Sequence, residues 1–379
     1  MISPINPMLN RISFLFLLFF LISTSLKAQD QNGPNFSVER LAKGPGIPWG
    51  MTFLETGRLL VSDKSGQLIL FDLETDSVNF IEGVPAVVNE GQGGLLDVAA
   101  GPDFKNNHWV YLTYAKPIQG EAATALARAK IIGTRLTQWE DLLVTDSVSN
   151  SRRHFGSRIA FDYQGHVFFS VGDRGDRDQA QNGKNHIGSI IRLHLDGRVP
   201  KDNPFVDDPS MRDEIWSYGH RNPQGLYFDR QTLMLWSIEH GPRGGDEINL
   251  IRKGFNYGWP VISYGKEYWG PFNVGEDTER DGMEQPVKQF TPSIAPGSLI
   301  VYRGKAFPQW QGSLFSGALK LRHLNRIWLN QNNQAVGEQR LLSDMKLRIR
   351  ALQEGPDGYI YFSTDNGEIL RIKPEEGEN

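Results

Sequence analysis

The sequence predicts an all-β protein of the β-propeller class, on three observations. Short β-rich runs recur along the whole chain between Gly, Asn, Asp and Pro turns, with few amphipathic helices among them. Distant segments read as copies of one hairpin. No Pro/Ser-rich or charge-block linker divides the chain.

Runs at 58–62, 67–71, 109–114, 166–171, 233–238 and 359–364 are expected strands. GRLLVSDKSGQLILF starts at Gly57 and GYIYFSTDNGEILRI at Gly358. In both, a Gly opens a strand, a polar turn ends in a second Gly (Gly66, Gly367), and a second strand follows. GHVFFSVGDRG, from Gly165, repeats the first half. A four-stranded sheet cannot bury both of its faces alone. Stacked around an axis, each sheet covers its neighbours, and joining the first blade to the last removes the open edges. A pair of sandwiches is the competing all-β architecture, but it does not require copies of one hairpin spread along the chain. The expected organisation is a single propeller domain over 29–374, with a solvated acidic tail at 375–379.

Residues 1–28 read as a secretory signal peptide. Their two charges, Arg11 and Lys27, are positive, and an apolar run at 12–22 lies between them, followed by a polar segment and Ala28. The run is too short for a bilayer span. The expectation is therefore an exported protein without a stable membrane anchor after signal removal. Cysteine is absent, which excludes disulfides, thiolate metal sites and a lipidated cysteine. Net charge is −4, and loss of the two leader cations takes it to −6. Such a chain has no electrostatic reason to bind nucleic acid.

Propellers gather binding chemistry in loops at one end of the channel, so the polar loops hold the candidate residues. RRHFGSR (152–158) sets His154 among three arginines. Their charge opposes protonation and suits a general base, although a basic surface loop has the same composition. In SVGDRGDRD, Arg174 and Arg177 would repel a cation. Asp173 then reads as a carboxylate orienting His154, or as part of a charged turn. In WSYGHRNPQGLYFD, Arg221, Asn222 and Gln224 crowd Pro223 and present many donors on a fixed frame, suited to carbonyl or carboxylate oxygens. EHGPRGGDEINLI offers unpaired carbonyls at Gly241 and Pro242 beside Asp246 and Glu247. These are hard oxygen ligands of the calcium type, or else a wide hairpin loop. Lys320, with Arg348 and Arg350 on one face of a strand, would form a cationic cup for a multi-anionic small molecule, unless the face is simply solvated. No Gly-rich phosphate loop, nucleophile elbow or paired-His zinc motif occurs.

The stretches GQGGLLDVA (91–99), RHFGSR, GDRG, YGHRNPQG, EHGPRGGDEINL, NYGWP, APGS, GALK and RIRALQEGPDGYIYFSTD span nearly the whole mature chain. Together, in this order, they resemble the soluble pyrroloquinoline-quinone (PQQ)-dependent aldose sugar dehydrogenases, relatives of soluble glucose dehydrogenase. The resemblance implies a six-bladed β-propeller with the quinone in a cleft at the top of the channel. It places the catalytic base on His154 and the supporting carboxylate on Asp173. Arg221 falls at the reactive quinone oxygens, Asn222 beside it at the cofactor, and Gln92 over the active site. Lys320, Arg348 and Arg350 match the cations that hold the cofactor carboxylates. Gly241 and Pro242 match backbone ligands of the calcium (Ca2+) at the quinone, and Glu247 and Tyr257 match a second, structural calcium. The sequence departs from glucose dehydrogenase at Thr291 and Ser293, where that relative has an aromatic residue and a threonine.

The implied reaction is oxidation of the C1 hydroxyl of an aldose to a lactone, with electrons passed to an external acceptor. The implied setting is periplasmic or extracellular, as a monomer or homodimer. Two other classes fit a propeller. A calcium-dependent lactonase would hold its metal with acidic side chains and need no cationic cup. A non-catalytic carbohydrate- or protein-binding propeller would not need His154, Asp173 and Arg221 together.

Overall fold

The repeated hairpin builds six antiparallel sheets. The computed structural model describes residues 27–28 and 33–375 and arranges their strands as six blades. Blade one is Pro48–Glu55, Arg58–Asp63, Gln67–Asp72 and Ser77–Ile81. Blade two is Leu95–Ala100, Trp109–Ile118, Glu121–Ile132 and Arg135–Val144. Blade three is Ile159–Phe161, His166–Val171, Ser189–His194 and Ile215–Tyr218. Blade four is Pro223–Asp229, Met234–Glu239, Asp246–Ile251 and Lys288–Phe290. Blade five is Ile300–Val301, Leu314–Ala318, His323–Leu329 and Ala335–Leu341.

Blade six is Ile349–Glu354, Ile360–Thr364 and Glu368–Pro374, completed by Phe36–Lys43 from the other end of the chain. That last pairing runs from Phe36 opposite Pro374 to Lys43 opposite Glu368 and closes the ring. Lys27–Ala28 adds a short outer strand against Phe36–Lys43. The rest of the expected signal peptide, and the tail beyond Glu375, lie outside the described residues.

Both full copies of the hairpin are the second and third strands of their blades, one and six, and the partial copy is the second strand of blade three. Their opening glycines need positive φ, +77° at Gly57 and Gly358 and +102° at Gly165, which L side chains adopt only with strain. Ser62, Ser170 and Ser363 occupy the same place in each copy, and the structure shows why. Each hydroxyl accepts an N–H from its own inner strand and donates to a carbonyl of the next blade. Ser62 takes Gly50 N and reaches Leu96 O; Ser170 takes Arg158 N and reaches Pro223 O; Ser363 takes Ala351 N and reaches Pro48 O. Ser363 thereby ties the last blade to the first. Ser363→Ala leaves both buried partners unsatisfied, and a loss of about 1–3 kcal/mol is expected in urea unfolding.

Side chains alternate between the two faces of each strand, so every pair of adjacent blades shares an apolar cluster. Blades five and six share the most aromatic one, where Trp310 stacks on Phe307 at 4.3 Å and meets Phe36 edge-on at 5.6 Å. The first strand of every blade contributes to the channel wall. Because neighbouring strands are antiparallel, the start of a first strand and the end of a second strand lie at the same end of the channel. Every candidate residue except Asp246, Glu247 and Tyr257 falls in one of those two places, so the topology gathers the rest on one face.

Candidate active site

His154 lies in the segment that leads into the first strand of blade three. Arg174 holds that segment from beneath: its guanidinium stacks 3.5 Å from the Phe155 ring and donates to the carbonyls of Ser147, Ser151 and Arg153. Gln92 Oε1 accepts the His154 backbone N–H at 2.7 Å. The imidazole is buried, and its Nδ1 donates to Asp173 Oδ1 at 2.5 Å. Asp173 is fixed in turn by Trp259 Nε1 on Oδ2 (2.9 Å) and Gly175 N on Oδ1 (2.7 Å). His154 Nε2 has no hydrogen-bond partner among the described residues. The ring lines a cavity with Asp173, Arg153, Arg221, Pro242 and Trp259.

Burial lowers the His154 pKa most; Asp173 opposes this, and the charges of Arg221 and Arg153 add to it. The three arginines of RRHFGSR therefore do not act together as expected. Arg152 pairs with Glu90 at 2.8 Å. Arg158 points into the channel, over the Trp49 ring, and binds Asp97 at 3.1 Å and the carbonyls of Gln224 and Gly297. Burial works to raise the Asp173 carboxyl, but the bond from His154, the Arg221 charge and the Gly175 N–H outweigh it and hold it below the usual range.

A second cavity, of about 330 Å³, includes Gln92, Gln224, Lys64, Arg348, Arg350 and Asp365 in its lining. Arg348 and Arg350 do share a face, because both bind the Asp365 carboxylate, Nε to Oδ2 at 2.8 Å and Nε to Oδ1 at 2.9 Å. Lys320 departs from expectation. It is exposed and follows Leu319, which lines the cavity in its place. The third cation of the wall is Lys64, missed in the sequence. Burial, with the charge of Arg350, pushes its pKa below the usual lysine value. Lys64 occupies the turn position in the first hairpin copy that Asp365 occupies in the last, so the repeat itself was the signal.

The donor set fits a flat polyanion. Asn222 Oδ1 is fixed by Gly156 N and Gln224 Nε2, which leaves its buried Nδ2 without a partner. Arg221 Nη1 donates to His240 O, and its guanidinium stands 5.3 Å from the Trp259 ring centre. His240, another missed residue, donates from Nε2 to Pro296 O at 2.7 Å, and burial pushes its pKa down to about 3.

Gly241, Glu247 and Tyr257 line a third, smaller cavity with Glu239. Glu239 and Glu247 face each other across adjacent strands, and burial, with the Glu239 charge, pushes Glu247 up to about 8. Two facing carboxylates repel unless a proton or a cation lies between them. The Tyr257 hydroxyl is engaged by Leu250 O and Arg252 N, so only its backbone carbonyl is open to a cation. Asp246 is not a free ligand as expected: it accepts from Gly241 N, Ser293 Oγ and Ala295 N, and so shapes the Gly241–Pro242 turn. Ser293 Oγ also lies 3.2 Å from Pro242 O, so that carbonyl is less free than Gly241 O. Among the described residues, no group of three or more His, Cys, Asp or Glu is placed to hold a metal, so a cation here would need backbone oxygens beside the Glu239–Glu247 pair.

Residues 46–371 match the family described as Glucose / Sorbosone dehydrogenase. The chain belongs to this family. It is 37% identical to aldose sugar dehydrogenase YliI of Escherichia coli K12 over 376 residues, covering 97% of this chain and 100% of that protein. It is 30% identical to quinoprotein glucose dehydrogenase B of Acinetobacter calcoaceticus, covering 74% of this chain and 63% of that one. The solved PQQ-bound aldose sugar dehydrogenase (Adh) of Streptomyces coelicolor superposes with a TM-score of 0.71 at 28% identity, covering 90% and 98% of the two chains. Within this glucose/sorbosone dehydrogenase fold, Arg221 walls both the His154 cavity and the Gly241 cavity, and His240 walls both the Gly241 cavity and the cationic one.

Proposed function

We propose that this protein is an exported, PQQ- and calcium-dependent aldose sugar dehydrogenase that oxidises the C1 hydroxyl of an aldose to a lactone and passes the electrons to an external acceptor. One observation carries the reading: a buried histidine with Nδ1 tied to a fixed carboxylate, Nε2 unpartnered, and Arg221 in the same cavity wall. Relatives named as aldose sugar and quinoprotein glucose dehydrogenases support it, as does the PQQ-bound neighbour.

The proton on Nδ1 is directed to Asp173, so the lone pair stands at Nε2, where the C1 hydroxyl proton is taken. Asp173 then stabilises the imidazolium that forms. Arg221 puts positive charge where negative charge develops on the acceptor. Lys64, Arg348, Arg350 and the Asn222 amide would hold the carboxylates and ring oxygens of PQQ. When bound, PQQ supplies acceptance of the C1 hydride. Gly241 and Pro242 would hold a calcium beside it, and Glu247, Glu239 and the Tyr257 carbonyl a second.

Purified protein reconstituted with PQQ and calcium should reduce a dye acceptor on a panel of aldoses. No turnover on any aldose, with the cofactor bound, would sink the assignment. Calcium should also raise the melting temperature, because it binds only the folded chain. Glu247→Gln removes the facing charge. The variant should melt higher than wild type in chelator and gain less from calcium. An equal calcium increment in both proteins places the cation elsewhere.

A further inference from the structure

A loop that lines the His154 cavity at Glu267 and Tyr268 carries three exposed aromatic rings. Trp269 is 74% exposed, Tyr268 68% and Phe272 56%. Single exposed apolar residues are ordinary, but a group of large ones marks a binding surface. The Trp269 and Phe272 rings lie 4.9 Å apart, tilted by 36°. Their loop is fastened at its base. Glu267 N donates to Phe272 O at 2.8 Å, Lys266 pairs through its backbone with Arg243 and Asn273, and Arg243 donates to Gly270 O. Arg177 binds Glu267 at 2.6 Å and ties the loop to blade three. The patch is continuous with the site, since Glu267 and Tyr268 line the cavity that holds His154 and Arg221.

We infer that Tyr268, Trp269 and Phe272 form an outer sugar subsite, which binds the units of an oligosaccharide beyond the reducing-end ring presented to His154. The inference rests on the proposed aldose oxidation. A pyranose has an apolar C–H face and a polar edge of hydroxyls. An aromatic face takes the first. The Arg177–Glu267 pair beside it offers donors and acceptors to the second. The rival occupant is an electron-acceptor protein. Sugar is favoured because Tyr268 is at once a wall of the catalytic cavity and the chain neighbour of Trp269, so the surface leads outward from where the reducing end must sit.

Two measurements test this, and truncating exposed rings leaves the core intact in both. The first uses the reconstituted enzyme with a dye acceptor on glucose, maltose, maltotriose, cellobiose and cellotriose. The trisaccharides should show lower KM than glucose. Trp269→Ala and Phe272→Ala should each lower the trisaccharide-to-glucose ratio of kcat/KM about three- to tenfold, the scale of one aromatic contact. The second is calorimetric titration with methyl maltotrioside and methyl cellotrioside. These have no free C1 hydroxyl and need no turnover, and Trp269→Ala should weaken their binding. If aldoses are oxidised but chain length has no effect and neither glycoside binds, the subsite is overturned while the oxidation stands. If no aldose is oxidised but a glycoside binds through Trp269, the oxidation reading fails and the subsite stands. An effect of Trp269→Ala confined to the KM for cytochrome c as acceptor gives the patch to a redox partner and overturns the inference.

Discussion

His154→Ala is expected to fold, to bind PQQ, and to pass electrons from sugar to the bound quinone about 10²–10⁴-fold more slowly, the usual contribution of a positioned base. Binding should survive because the cations that would hold PQQ, Lys64, Arg348 and Arg350, line a different cavity from the imidazole. The sugar's apparent affinity should change much less than the rate, since the lost interaction belongs mainly to the transition state. In the wild type the rate should rise with pH as the imidazole loses its proton. That limb should sit below the ordinary histidine value of about 6.5, because burial first, then Arg221 and Arg153, outweigh the Asp173 carboxylate. Asp173→Asn removes the anion that favours the imidazolium, so the limb should move lower still. Turnover should fall as well, because the charge on Nδ1–H in the transition state loses its partner. Single-turnover quinone reduction, followed spectroscopically across pH in the three proteins, reads all of this. A His154→Ala rate equal to wild type means that another group is the base.

The architecture was legible because propeller blades repeat, and a repeat writes the same turn chemistry more than once. The copies at Gly57, Gly165 and Gly358 mark the second strands of blades one, three and six, and the serine five residues on marks a joint between blades. The contact between His154 and Asp173 was legible as well, since each residue lies in a recognisable motif. What sequence spacing could not give was direction. Arg153 and Arg158 flank the same histidine, yet one lines its cavity and the other is drawn into the channel by the buried Asp97. Lys320 and Lys64 are both turn lysines, and only the backbone course decides which one reaches the cavity. Asp246 and Glu247 are adjacent carboxylates on a strand and so point to opposite faces, one to the Gly241 turn and one to Glu239.

Lys64→Gln and Arg348→Gln are each expected to weaken PQQ binding about ten- to hundredfold, and together about 10²–10⁴-fold if the two losses add. The wall they share carries Lys64, Arg348 and Arg350 against one carboxylate, Asp365, which leaves an excess of positive charge in a partly buried place. Lys64 already feels this excess, because burial and the Arg350 charge both act against its protonated form. An anion in the cavity would relieve that penalty, so binding should be stronger than an exposed ion pair allows. Asp365 weakens the field but fixes the two guanidiniums side by side through their Nε atoms. The carboxylates held there do not react, so turnover at saturating PQQ should fall much less than affinity. Lys320→Gln separates the structure from the sequence pattern. Its ammonium lies outside the lining, and its effect should be smaller than that of Lys64→Gln. Equilibrium titration of the cofactor-free chain with PQQ, calcium held constant, measures each variant. If Lys320→Gln weakens binding more than Lys64→Gln does, the anion sits nearer blade five than this cavity puts it.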